Sequence, residues 1–352
     1  MNTGLGIIPY LVMLFIIMIC IVREDSYKTE KAKKWNFIIA LLPVFVLIAF
    51  KSEQVGRDTY NYLNTFSGFG NEIERGDDGE KVMEYGFQYL MIVLGKLTGN
   101  SQSLLITLGG LTVVSLYWFI KQTATNWCLA LYFFICLGFF QFVMSGIRQS
   151  MAIEIMLLAY PFIKKRRMVL YMLMVWVAFM FHRSAIVCAP LYFIANMTVN
   201  KRNTTMMIMV MTFLFFFSDT ILLTTADVMK YDYGIERTDN GFVFLLIVLL
   251  ITLFSYKNKN KILSSHSETK NLFNANYVSV LLWIIRMVSR TVERVSLYFM
   301  PYSYVLLEQS ISSQPKSRRG TYMLFVLVAA TALFLYRMIY QIDLNNYMFC
   351  WQ

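Results

Sequence analysis

Apolar runs of roughly bilayer-spanning length, broken by short polar tips, recur along the whole chain. A helix rises about 1.5 Å per residue, so roughly twenty such residues cross a hydrocarbon core of about 30 Å. No water inside that core can satisfy a bare backbone, so runs of this kind read as helices. The pattern predicts an all-α integral membrane protein, a single polytopic domain over residues 1–352 with about twelve transmembrane helices. The runs fall at 4–22, 35–50, 101–120, 127–144, 150–163, 168–181, 184–197, 204–217, 241–256, 276–289, 295–307 and 321–340. The first lacks a basic leader and a small-residue cleavage site, so it reads as a retained span. Residues 85–97 are apolar but short and interrupted by Gly95 and Lys96, which suits an interfacial or re-entrant piece.

Charge orients this pattern. Well over half of the 32 lysines and arginines fall in alternate tips, among them 23–34, 164–167, 257–261 and 316–319, and these tips hold few acids. Basic tips stay in the cytoplasm, so both termini and the long polar segments 51–84 and 218–240 are expected outside. Placed in this way, the net charge of +11 describes topology and gives no reason to expect nucleic acid as a partner. The chain is 57% hydrophobic and 15% charged, which leaves no stretch for a soluble domain. Four of the five cysteines, Cys20, Cys128, Cys136 and Cys188, lie inside apolar runs without metal-ligand spacing and read as small packing residues.

Against this background the polar residues at the outer tips stand out. Arg148, Gln149 and Glu154 sit in MSGIRQSMAIE, between two apolar runs. An ionisable group beside a span is costly unless it faces protein or water, so it marks a candidate site. His182 in HRSA has a pKa near ambient pH and could move a proton or donate to a phosphate, or could simply cap a neighbouring helix end. In VGRDTYNYLNTF, Arg57 and Asp58 could meet an anionic head group and a sugar hydroxyl, with Tyr60 and Tyr62 offering flat faces; an interfacial aromatic belt is the alternative. Glu84 in MEYGF is a candidate base, or an acid at a helix N-terminus. Arg286, Arg290, Glu293 and Arg294 follow i, i+4, i+7, i+8 spacing, one face of a continuous helix. Guanidiniums grip phosphate oxygens bidentately, so such a stripe suits a pyrophosphate, whereas snorkelling to lipid head groups would need fewer.

The strings GRDTYNY, EYGF, IRQSMA, FHRSA and RTVERVSLYF, in this order and at the ends of spans, resemble the EpsG-like members of the Wzy class of O-antigen and exopolysaccharide polymerases. The resemblance covers most of the chain. It implies a membrane glycosyltransferase of GT-C-like build in the bacterial cytoplasmic (inner) membrane, involved in capsule, O-antigen or exopolysaccharide formation and needing no metal or other cofactor. Its substrates would be undecaprenyl-pyrophosphate-linked oligosaccharides, with a growing glycan passed to another lipid-linked repeat unit on the outer face. A chain-length regulator and a flippase are the partners it suggests. Under this reading Arg148, Arg290 and Arg294 hold the donor pyrophosphate, supported by Arg286, Gln149 and Tyr298. Arg57, Asp58 and Tyr60 contact substrate, and Glu84, His182 or Glu293 takes the acceptor proton. A lipid-linked oligosaccharide flippase is the competing function, but its charges should be distributed through the membrane with an inverted repeat, and neither feature is visible. An O-acyltransferase would want its histidine on the cytoplasmic side.

Overall fold

The computed structural model describes residues 6–68, 83–216, 241–265, 269–287, 292–340 and 342–352. The segment 218–240 and residues 69–82 of the polar segment 51–84 lie outside them. Helices α1 (Ile8–Glu24), α2 (Glu30–Ala49), α3 (Thr59–Gly68), α4 (Tyr85–Thr98), α5 (Gln102–Thr123), α6 (Trp127–Cys136), α7 (Phe139–Ser145), α8 (Ile147–Leu158), α9 (Tyr160–Lys164) and α10 (Met168–Phe181) make up the first half. A 3-10 turn, Arg183–Cys188, precedes α11 (Leu191–Ala195) and α12 (Lys201–Phe216). Then follow α13 (Phe242–Lys257), α14 (Lys259–Ser265), α15 (Lys270–Arg286), α16 (Val292–Ser296), α17 (Met300–Ser312), α18 (Lys316–Tyr340) and α19 (Ile342–Asn345). Among the described residues there is no strand, only an isolated antiparallel bridge between Lys51 and Phe349.

Three helices, α2, α5 and α18, are long and apolar enough to cross a membrane. The pair α6 and α7, bent by 56°, makes a fourth if it counts as one span. Elsewhere the apolar runs are divided: 150–163 is shared by α8 and α9, and 184–197 by the 3-10 turn and α11. The piece 85–97 forms α4, a helix stopped by a left-handed Gly99. Side chains such as Leu324, Phe325 and Val328 on α18 and Leu42 on α2 stand in the open, where a lipid phase and not protein would cover them. The chain is a helical membrane protein.

The described residues of Met1–Tyr160, Val169–Ile186 and Gly320–Gln352 form one compact unit, and those of Pro161–Met168 and Val187–Arg319 form another. In the first, α2 packs on α5, α5 on α8, and α1 on both α2 and α6. Polar side chains pin these apolar contacts. The N-terminus of α6 leaves N–H groups without intrahelical partners. The buried Glu24 carboxylate accepts from two of them, Trp127 N at 2.7 Å and Cys128 N at 2.8 Å, while Asn126 accepts from Leu129 N at 2.8 Å. Asn36 on α2 donates to the Cys20 carbonyl at 2.9 Å, and Thr112 on α5 donates to the fully buried Glu154 on α8 at 2.5 Å. In the second unit, α13, α15 and α17 pack on one another, with Ser255 and Ser310 hydroxyls 2.7 Å apart and Asn276 donating to Thr252 at 2.7 Å. Small hydroxyls and amides are the usual adhesive between helices where lipid is as apolar as leucine.

Candidate functional site

Four of the five strings singled out in the sequence converge in the first unit. Arg148 stands at the start of α8, just past the break at Gly146. Its Nε donates to the Tyr62 hydroxyl at 2.7 Å, and Nη1 meets Glu84 Oε2 at 2.5 Å. The guanidinium also lies 5.6 Å from the centroid of the Tyr62 ring. Burial pushes the Tyr62 hydroxyl above its ordinary pKa despite the pull of Arg148, so the phenol stays protonated and its oxygen serves as acceptor. Arg148 keeps about a quarter of its side chain exposed (26%), against 11% for Glu84. It is a cation held in one direction and still within reach of a ligand.

Local chain geometry makes this meeting possible. Tyr62 lies one turn into α3, with its ring edge against the buried Phe87 of α4 at 5.4 Å. Gly86 allows α4 to approach α10, since a Cβ there would lie 2.8 Å from both the Cβ and the carbonyl oxygen of Met180. The other oxygen of Glu84, Oε1, accepts from the backbone N–H of Arg183 at 3.3 Å. One carboxylate thus joins EYGF, IRQSMA and FHRSA. Next to Arg183, the His182 ring nitrogen Nδ1 lies 2.6 Å from the Ser184 hydroxyl and accepts from the Ser184 N–H at 3.3 Å. A backbone N–H can only donate, so the ring proton of the neutral imidazole rests on Nε2. The ring's N–H donor is therefore the Nε2–H.

GRDTYNY reaches the same place through its first residue. Gly56 has φ +92°, and a Cβ there would overlap the Met144 carbonyl, so only glycine lets this turn lie against the end of α7. Arg57 and Tyr60 are exposed and Asp58 half-buried, while Gln149 is buried in α8. It is Tyr62, more than Tyr60, that meets the guanidinium.

One participant escaped the sequence reading. Lys51 reads as the first residue of a polar tip, yet it is fully buried. Its Nζ donates to the Thr59 hydroxyl at 2.9 Å and to the Met144 carbonyl. Burial pushes the ammonium down to about 7, against the opposing pull of Asp58. Its signal in the sequence was a lone lysine directly after a span and five residues before Gly56.

The basic stripe belongs to the second unit. α15 ends at Arg286, and Glu293 and Arg294 belong to α16, so the four positions do not share one continuous helix. Arg286 nevertheless meets Glu293: Nη2 is 2.9 Å and Nε 3.1 Å from Oε2. Arg286 is buried, Arg294 exposed and Tyr298 buried; Arg290 lies outside the described residues. Gly241 packs directly on the Arg286 side chain, where a Cβ would meet the guanidine at 2.5 Å.

Among the described residues no three His, Cys, Asp or Glu side chains gather as a metal site would. The arrangement in the first unit is that of a guanidinium fixed by a phenol and a carboxylate, the carboxylate also reaching the backbone N–H of Arg183 next to His182. No curated protein and no solved structure matches the chain. The model of the EpsG family matches it over residues 34–351, nearly its whole length, and membership implicates it in polysaccharide biosynthesis. With four of the five strings meeting around Arg148 and the family match running through all five, the chain belongs to the EpsG family.

Proposed function

We propose that this protein is a polysaccharide polymerase that transfers a growing glycan from undecaprenyl pyrophosphate to a lipid-linked repeat unit, without a metal, at the outer face of the bacterial cytoplasmic membrane. The observation that carries the proposal is Arg148, oriented by Tyr62 and Glu84 yet partly open. Pyrophosphate leaves readily only when its growing charge is neutralised, and a pre-oriented guanidinium supplies that neutralisation. In the reaction an acceptor hydroxyl oxygen bonds to the anomeric carbon of the donor, and the bond from that carbon to the pyrophosphate oxygen breaks. The electron pair departs with the pyrophosphate, whose charge falls on Arg148 and on the Nε2–H of His182. The hydroxyl proton passes to Glu84 at Oε1, which accepts the longer bond from Arg183. Arg57, Asp58, Tyr60 and Gln149 contact saccharide or head group. In the second unit Glu293 fixes Arg286, and Arg286, Arg290, Arg294 and Tyr298 are the chain's further candidates for a phosphate contact.

The twelve-span arrangement, with 218–240 and the segment before Glu84 outside, belongs to the same proposal, since it puts the Arg148 tip and the HRSA tip on one side. The test is polymerisation of lipid-linked repeat units by the purified protein with and without chelator. Polymer of full length is expected in both. Loss on chelation and rescue by a divalent ion would replace the guanidinium mechanism by a metal-dependent one.

A further inference from the structure

We propose that Lys51 is a positioning residue for Arg148: its buried side chain ties the start of α3, which carries Tyr62, to the end of α7, which leads into Arg148. The proposal rests on the reading of Arg148 as the pyrophosphate clamp. α7 stops at the Gly146 break, so its last carbonyls lack the N–H donors that a continuing helix would bring. Met144 is in that last turn, and a cation there also meets the negative end of the helix dipole. The Lys51 ammonium fills this role. On its other side Thr59, the first residue of α3, donates its own proton to the Val55 carbonyl at 2.7 Å, which leaves its oxygen to accept from Lys51.

A closed circuit results. Lys51 holds Thr59; one turn on, Tyr62 holds Arg148; and Arg148 follows Met144, which Lys51 also holds. The circuit has a fixed anchor, because the Lys51 backbone pairs with Phe349, its carbonyl accepts from Gln102 at 3.3 Å, and Ser52 N donates to the Met348 carbonyl at 2.8 Å. A fully buried cation is costly to any fold. Here it satisfies two elements at once and fixes the distance between the phenol and the guanidinium.

The test uses the full chain in nanodiscs, with amide hydrogen exchange and binding of undecaprenyl pyrophosphate as readouts. Lys51→Met should speed exchange at 56–66 and at 144–149 and weaken binding by about tenfold, the effect of one lost charge-assisted hydrogen bond. In an Arg148→Ala background the same substitution should weaken binding no further, as for a residue acting through another. Thr59→Val should reproduce the faster exchange at 56–66, and Thr59→Ser, which keeps the hydroxyl, should not. Unchanged exchange in Lys51→Met, or a full additional loss on top of Arg148→Ala, would overturn the proposal. If Lys51→Met does not fold, the Thr59 pair decides, and equal binding and exchange in Val and Ser variants would overturn it. Wild-type binding by Arg148→Ala alone would refute the clamp reading instead, and exchange would then decide the tether on its own.

Discussion

Arg148 carries its charge at any pH a cell meets, so what the protein must add is direction, and Tyr62 and Glu84 add it through separate nitrogens of one planar fork. Lysine offers a point charge and cannot satisfy both partners in that geometry. Arg148→Lys should therefore stay folded and inserted while turnover falls by about 10²- to 10³-fold, the scale set by losing one donor to a developing anion; near-normal polymer length in the variant would refute the assignment. Glu84→Gln divides the two roles of that carboxylate. A general base contributes about 10²- to 10⁴-fold, so turnover should fall by that much with binding of undecaprenyl pyrophosphate little changed. Lost binding with turnover kept at saturation would mean that Glu84 only orients Arg148. Lys51 makes a pH prediction of its own. Its ammonium is pushed down to about 7 from an ordinary 10.5, so above pH 7 the unfolded chain binds the proton that the folded one has released. Its contribution to stability should therefore rise with pH between about 7 and 10.5, by at most about 1.4 kcal/mol per unit. Thermal unfolding of wild type and Lys51→Met between pH 6 and 9 checks this: the gap in favour of wild type should widen as pH rises.

Among the elements, the short strings at span ends were more legible than the spans themselves. GRDTYNY, EYGF, IRQSMA and FHRSA carry polar residues where lipid would reject them, and that misfit is a signal a linear sequence can show. Their convergence is another matter, because Gly86 against Met180 and Gly56 against Met144 are contacts between distant segments. The stripe at 286–294 illustrates the converse error. Spacing of i, i+4, i+7 and i+8 assumes an unbroken helix, yet α15 stops at Arg286, and the Arg286 to Glu293 pair forms between two helices. Lys51 was missed because a lysine after a span ordinarily snorkels to water, and only tertiary packing shows that this one is enclosed. Glu24 stands in the basic tip 23–34, where a solvated acid would be expected, yet it is buried and closes the N-terminus of α6. Glu24→Gln replaces one of two acceptor oxygens with a donor facing another N–H, so it should lower stability by about 1–3 kcal/mol, the cost of a buried unsatisfied group. Thermal unfolding of the solubilised variant measures this, and an unchanged midpoint would remove Glu24 from the cap.

At the scale of the whole molecule, hydropathy speaks clearly about solvent and less clearly about where helices break. The apolar runs that suggest about twelve crossings resolve into three helices of sufficient length, a bent pair and shorter pieces such as Met168–Phe181 and Phe242–Lys257. Bends at Gly138 and Gly146 divide runs that look continuous as composition, because a backbone break changes no side chain's polarity. A 14-residue helix rises only about 21 Å, less than a typical hydrocarbon core, so such helices need a thinned bilayer or a neighbouring turn to complete a crossing. Direction is carried by a different signal. Positive tips stay in the cytoplasm whether a span is one helix or two, so the alternation of basic tips survives the breaks. Single cysteines at positions 33, 165 and 259 should accordingly react only from the cytoplasmic side, and one at position 57 only from the outside, in intact cells treated with an impermeant maleimide. The comparison of 57 with 165 is the most demanding, because an odd number of crossings must separate them, and counting 85–97 as a full span makes that number even. Labelling of both from the same side would refute this topology: either α4 crosses the membrane, which would move the HRSA tip to the cytoplasmic face, or one of the divided runs between 101 and 163 does not cross.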